Sequence, residues 1–174
     1  VTAAGVREIL PAEIDAQVEA LTDLLVDAVA SGASVSFMAS TTRAELETFW
    51  RAVAGEVRGG AVRLLAAFDG PRLCGAVTLR LATPPNQPHR ADVTKLLVHR
   101  DARRRGVGRA LMVAIEALAR DARRTLLTLD TVTGGAAERL YTDLGWSRVG
   151  VIPDYALYPD GRPCATTVFF KTIA

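Results

Sequence analysis

The sequence predicts an α/β fold of the α+β kind, a mixed central β-sheet with helices on both faces. Three observations carry this. Apolar periodicity gives the element order βααβββαβαββ. A hairpin signal, Asp69-Gly70, joins two strand-like runs. Three long segments repeat apolar residues at three- and four-residue steps, so each is a helix with one face to bury. No internal repeat or linker interrupts the pattern. At 174 residues, positions 1–174 read as one domain, long enough to bury a substantial core.

Val6 to Leu10 reads as the first strand. Pro11 suits the opening turn of a helix whose inner face is Ile14, Val18, Leu21, Leu25 and Val29. Thr42 and Glu45 form a capping-box signature for a second helix, with Leu46, Trp50, Val53 and Val57 inward and Gly59-Gly60 as its stop. Val62 to Phe68 and Leu73 to Leu81 make the hairpin. The proline-rich stretch Ala82 to Arg90 is a loop, and Asp92 to Val98 is the fourth strand. Arg100 to Gly108 is a polar loop. Arg109 to Ala122 is a third helix, with Leu111, Ile115, Leu118 and Ala122 inward and Glu116 and Arg120 paired on its outer face. Thr125 to Thr131 is a fifth strand, Ala136 to Leu144 a short helix, Trp146 to Ile152 a sixth strand. Pro159-Asp160-Gly161 is a turn, and Thr166 to Lys171 is the last strand.

Composition narrows the function classes. No apolar run reaches the roughly 18 residues of a membrane span, and the first residues lack the pattern of a secretory signal. The expectation is a cytoplasmic protein without a membrane partner. Cys74 and Cys164 lie far apart in strand-like surroundings and read as two reduced, buried thiols. With only His89 and His99 besides, no metal site is expected. The net charge of +2 is too small to indicate nucleic acid. No aromatic residue interleaves the basic ones between Arg80 and Arg139, so a stacking surface for single strands is absent and no nucleic-acid partner is expected.

Charge is instead concentrated. Five arginines fall between Arg100 and Arg109. Within that stretch, Arg103-Arg104-Arg105-Gly106-Val107-Gly108 lies between a strand and an amphipathic helix. A helix N-terminus offers unpaired N–H groups and a positive dipole end. Glycines let backbone approach a diphosphate, and arginines add charge and paired donors. The alternatives are a P-loop, which would need Gly-Lys-Ser or Gly-Lys-Thr, and a dinucleotide turn, which would need a third glycine where Leu111 stands. A solvated basic loop is the plain structural alternative.

The loop resembles the Gln/Arg-x-x-Gly-x-Gly/Ala motif of the Gcn5-related N-acetyltransferases (GNAT). Downstream, Ala136 to Trp146, with Tyr141 followed by Leu144-Gly145-Trp146, resembles their second motif. The likeness covers about Val62 to Lys171. It implies the GNAT fold, a sheet splayed between strands 4 and 5, and acetyl-CoA as cosubstrate. The pantetheine arm would pair with the backbone of Leu96, Leu97 and Val98. The amides of Arg104, Arg105, Gly106, Val107 and Gly108, the start of the helix at Arg109 and the nearby Arg103 side chain would hold the pyrophosphate. Backbone N–H groups at the splay would polarise the thioester carbonyl. Tyr141 would protonate the leaving thiolate, since a phenol with a pKa near 10 is protonated at neutral pH. Asp92 is the first candidate for the base, Asp130 the second and His89 a weaker third.

The acceptor is expected to be the primary amine of a small molecule. Leu127 to Thr131 with Ala136 to Trp146, and the tail Val149 to Tyr155 with Pro159 to Gly161, look like the tabtoxin-resistance acetyltransferases, which acetylate a β-lactam amino-acid toxin. The resemblance implies an antibiotic-resistance role, with Asp154, Tyr155 and Tyr158 in a loop closing over a small polar ligand. Asp92 is one methylene shorter than the Glu common in relatives, a change in reach of roughly 1.5 Å. A protein N-terminal acetyltransferase and a non-catalytic acyl-CoA-binding domain are the other readings, and the chain is expected to act as a monomer or homodimer.

Overall fold

Seven strands lie side by side. In this computed structural model, which describes residues 5–173, they are β1 (Gly5–Ile9), β2 (Val62–Asp69), β3 (Arg72–Leu81), β4 (Arg90–Val98), β5 (Leu126–Val132), β6 (Ser147–Leu157) and β7 (Pro163–Thr172). Their order is β1-β2-β3-β4-β5-β7-β6, the central β2 and β3 buried almost throughout and the edge strand β6 largely exposed. Every neighbouring pair is antiparallel except β4–β5, which is parallel. Helices α1 (Ile14–Ala30) and α2 (Arg43–Arg58) cover one face. Helices α3 (Val107–Asp121) and α4 (Ala136–Asp143) cover the other. The expected mixed sheet with two helical layers is what forms.

The local signals mostly act as their chemistry dictates. Thr42 Oγ1 accepts from the Glu45 N–H at 3.3 Å, and the Glu45 carboxylate accepts from the Thr42 N–H at 2.7 Å, a complete capping box. Leu46, Trp50, Val53 and Val57 are all buried beneath it. Burying each such side chain contributes about 1.5–3 kcal/mol before entropy is counted. Pro11 departs from expectation. The Glu13 carboxylate folds back onto the Leu10 N–H at 3.0 Å, so a turn intervenes and α1 begins at Ile14.

Glu116 is a second departure. It is only 8% exposed and is not on an outer face. Its carboxylate accepts from Lys171 Nζ at 2.8 Å and from the Trp146 indole N–H at 3.2 Å. A buried carboxylate with two donors is stable where an unpaired one is not. It ties α3 to β7 and to Trp146, the residue before β6.

The feature that makes a site is the seam between β4 and β5. They pair only at Arg90–Leu126, Ala91–Leu127 and Asp92–Thr128, then part. On its other side β4 is bulged: its register with β3 shifts between Ala76 and Thr78, and Lys95 takes φ +52°. A bulge bends the strand that carries it. From Val93 onward β4 has no β5 partner, so its edge faces a wedge open toward Val98.

Candidate active site

At the open end of the wedge, the chain leaves β4 through a 3-10 turn, Arg100–Ala102, and enters α3. Arg104 and Gly106 both have positive φ, +60° and +80°. Alternation of backbone handedness gathers successive N–H groups into a concave anion-binding nest. Gly106 is the N-cap of α3. No side chain caps that end, and its first turn holds no acidic residue. The four orphan N–H groups of a helix start are therefore left for an external acceptor.

The arginine side chains divide their tasks. Arg103 turns back, its Nε donating to the Val98 carbonyl at 3.1 Å, and its guanidinium lies 3.8 Å from Asp27. Arg105 pairs with Asp69 at 3.0 Å and Arg109 with Asp143 at 3.8 Å. Among the described residues, Arg104 alone of these four shows no ion pair, and it is exposed.

Asp27, which the sequence reading passed over, anchors this loop from α1. It is 9% exposed and accepts from the Arg100 N–H at 3.0 Å and from the Arg100 guanidinium. Burial pushes its pKa up, but the Arg100 N–H, the guanidinium and nearby His99 outweigh that and hold it below the usual range. A depressed folded pKa adds stability above the unfolded pKa, and that stability is lost as pH falls through the folded value. Asp27→Asn is expected to cost about 1–3 kcal/mol near neutral pH. The difference should shrink in acid below about pH 4, where wild type loses the charge too. Urea unfolding of both proteins at pH 7 and pH 3 checks this, and equal stabilities at pH 7 would remove Asp27 from the account.

Along the wedge, Leu96 is half-buried, Leu97 buried and Val98 half-buried. Leu97 and Val98 pair with β3 on one side only, Leu96 falls in the register break, and the Val98 carbonyl is already engaged by Arg103. Asp92 sits at the closed end. Its Oδ1 accepts from Arg90 at 2.5 Å and from the Thr128 hydroxyl. Asp130 lies two residues further along β5, where pairing with β4 has ended, and accepts from the Thr166 hydroxyl at 2.8 Å. Ala91, Val93, Leu127 and Leu129 point into the α3–α4 layer. Strand alternation therefore turns Asp92, Thr128 and Asp130 to the opposite face. The two acids lie along one face and do not confront each other across the opening.

Tyr141 rises from α4 beneath the wedge. It is 5% exposed, packed against Trp146 and Phe169 at centroid distances of 6.0 and 5.9 Å. Burial, and then the Asp130 carboxylate, push its phenol well above the ordinary value. His89 is exposed at the closed end, its carbonyl accepting from the Thr125 and Leu126 N–H groups, and does not join the cluster. Sequence reading also missed Lys95, whose side chain crosses the Phe37 and Phe49 rings.

The tail departs from expectation. Asp154 and Tyr155 are not in a loop: β6 runs on to Leu157, with an irregular register between Ile152 and Ala156 and Asp154 at φ +50°. Pro153 is tolerated there because β6 is the sheet edge. Tyr158 stacks on the Arg162 guanidinium and faces Val26 and Val29 across a groove. The segment between α1 and α2 bridges from Lys95 on β4 to the end of β6. Ser34 Oγ donates to the Leu157 carbonyl at 2.8 Å, and the Ala39 N–H to the Pro159 carbonyl at 2.9 Å. Cys74 and Cys164 are buried and unpaired. Among the described residues no group of three or more His, Cys, Asp or Glu side chains is placed to hold a metal ion, and no helix is long and apolar enough to cross a membrane.

This architecture is shared with solved structures. An acetyltransferase candidate, yncA of Salmonella typhimurium, determined with its cofactor acetyl-CoA, superposes with a TM-score of 0.80 at 16% identity, covering 99% of this chain and 95% of that one. A ribosomal-protein-alanine N-acetyltransferase of Brucella melitensis gives 0.78 at 21% identity, covering 97% and 99%. A protein provisionally assigned as a phosphinothricin N-acetyltransferase gives 0.80 at 16%, covering 98% and 99%. At these identities the likeness speaks for the fold. The sequence profile of the acetyltransferase (GNAT) family matches residues 26–146, and this chain belongs to that family.

Proposed function

We propose that the protein transfers the acetyl group of acetyl-CoA to the primary amine of a small, amino-acid-like molecule, by direct transfer in a ternary complex. The observation that carries this reading is the β4–β5 wedge with an uncapped helix start and a positive-φ turn at its mouth. Those parts fit the cosubstrate. The amides of Arg104 to Gly108 would take the pyrophosphate, with Arg104 as the available side-chain cation. The unpaired edge of β4 at Leu96 to Val98 would take the amide-bearing arm. The cosubstrate supplies an activated thioester.

The chain's own groups supply proton traffic. Asp130 fits the base better than Asp92: it is exposed on the stretch of β5 beyond the β4 pairing and is held by a neutral hydroxyl, whereas Asp92 Oδ1 is engaged by Arg90 and Thr128. Tyr141 remains a protonated donor for the thiolate. A small acceptor is supported by the strap of residues 33–39, which is fastened to β6 and the β6–β7 turn and would hinder a long chain. The β-lactam amino-acid toxins, and hence a resistance role, fall within this class.

Thiol release from acetyl-CoA tests the reading. Small amino-acid-like amines and β-lactam dipeptides should be acetylated with higher kcat/KM than N-terminal peptides; the reverse order would overturn it. Asp130→Asn is expected to lower kcat at neutral pH by about 10²-fold, and Asp92→Asn by less. If neither changes the pH–rate profile, the base is another group.

A further inference from the structure

Lys95 has no role in the steps above, yet it lies on the stretch of β4 that has parted from β5, with its ammonium against the segment between α1 and α2. The residue sits on the β4 bulge, and its ammonium lies over the Phe37 and Phe49 rings, with Nζ 5.9 and 5.4 Å from the centroids. Nζ donates to the Val35 carbonyl at 3.2 Å and to Ser36 Oγ at 3.0 Å. An ammonium has three donors, and both of these partners are neutral. Among the described residues, no carboxylate lies within the 4.0 Å of an ion pair to Nζ.

Its charged surroundings are few. Arg80 is clamped by Glu56 through two bonds of 2.8 and 2.9 Å. Asp92 is taken up by Arg90. Asp130 acts on Lys95 through space from β5 but does not contact it, being held by the Thr166 hydroxyl. Burial, with Arg80 adding to it, biases Lys95 against its own charge. The wedge thus offers one cation and one anion, each supported by neutral groups and neither neutralised by direct contact. The shape in charge that completes this pair is an amine carrying an anionic group on the same small molecule.

We propose that Lys95 is a specificity-determining residue that binds the carboxylate of the acceptor, while the acceptor's amine lies toward Asp130. The inference rests on the small-molecule reading above and narrows it to free amino acids and their close analogues. Two of the three ammonium donors keep the strap in place, and the third meets the carboxylate. A charge-assisted bond in a partly desolvated site discriminates strongly against an analogue that lacks the charge.

The test compares alanine, glutamate, methionine and tryptophan with their α-carboxamides as acceptors, using thiol release, for wild type and Lys95→Met. Methionine keeps an unbranched side chain of similar length without the charge and meets the same backbone requirement at φ +52°. Wild type should favour the acids over the amides by about 10-fold or more in kcat/KM. In Lys95→Met that ratio should fall to within about twofold of one. If wild type acetylates acids and amides equally, the inference fails while the small-molecule reading stands. If the ratio survives in Lys95→Met, or both acceptors lose equally, Lys95 only holds the strap. If no small amine is acetylated and N-terminal peptides are, both readings fall together. Should Lys95→Met not fold, Lys95→Gln is put through the same comparison and its acid-to-amide ratio is read in the same way.

Discussion

Tyr141→Phe is expected to lower kcat by about 10²-fold or more while leaving acetyl-CoA affinity within about twofold of wild type. The separation follows from what the ring and the hydroxyl each do. The ring is 5% exposed and packs against Trp146 and Phe169, contacts that Phe retains. The hydroxyl is the group proposed to protonate the thiolate, and burial with the Asp130 charge keeps its proton on. Because the phenol pKa is raised, the donor persists through the whole neutral and mildly alkaline range. Loss of activity on the alkaline side in wild type would thus not report Tyr141. Steady-state kinetics beside calorimetric titration with acetyl-CoA decides the matter. A variant with wild-type kcat would show that the thiolate leaves unaided or that another group protonates it.

Gly106→Val is expected to weaken acetyl-CoA binding by about 10²-fold, which corresponds to the loss of one or two charge-assisted backbone hydrogen bonds. A Cβ at Gly106 meets nothing in the protein within 4 Å, so an internal clash is not the cause. The cause is φ +80°, which a β-branched residue adopts only at a cost of about 1–3 kcal/mol. Relaxing that strain flattens the turn and scatters the N–H groups. The same open space is where an anion would approach, so the side chain obstructs as well. Gly108→Ala is the informative control. It is helical, and its added Cβ would meet Leu140 at 3.4 Å, an ordinary contact. Its affinity should stay within a few-fold of wild type. Equal binding by a folded Gly106→Val protein would move the pyrophosphate elsewhere.

Periodicity and turn chemistry carried the order of elements, the capping box at Thr42 and the inner faces of α1 and α2, because those depend on neighbours close in sequence. Glu116 and Asp27 were misread or missed for one reason. A charge on a helix looks solvated until a partner distant in sequence is known, here Lys171 and Arg100. The sequence places the sixth strand at Trp146 to Ile152, but β6 runs on through Pro153 to Leu157, which a sheet edge tolerates. The Arg-Gly turn was legible as a local motif, yet which arginine stays unpaired was not, since Asp69 and Asp143 come from other elements. Lys95 looked like an alternating strand residue. The bulge that reorients it is written in the β3–β4 register, which no single strand reveals.

Mechanically, the sheet is two ribbons stitched by a short seam. One comprises β1 to β4, the other β5, β7 and β6, and only three residue pairs join them. Each ribbon is internally zipped over many registers, so a load pulling them apart concentrates on Arg90 to Asp92 and Leu126 to Thr128. Parallel pairing is also slightly weaker per residue than antiparallel. Ion pairs and side-chain bonds at Asp92 reinforce the last stitch. A slender molecule lying in the wedge would lengthen the seam. The ligand-free protein should then breathe along this line, with the amides of β5 beyond Thr128 exchanging with solvent sooner than those of β2 and β3, and loading would tighten the two ribbons into one plate.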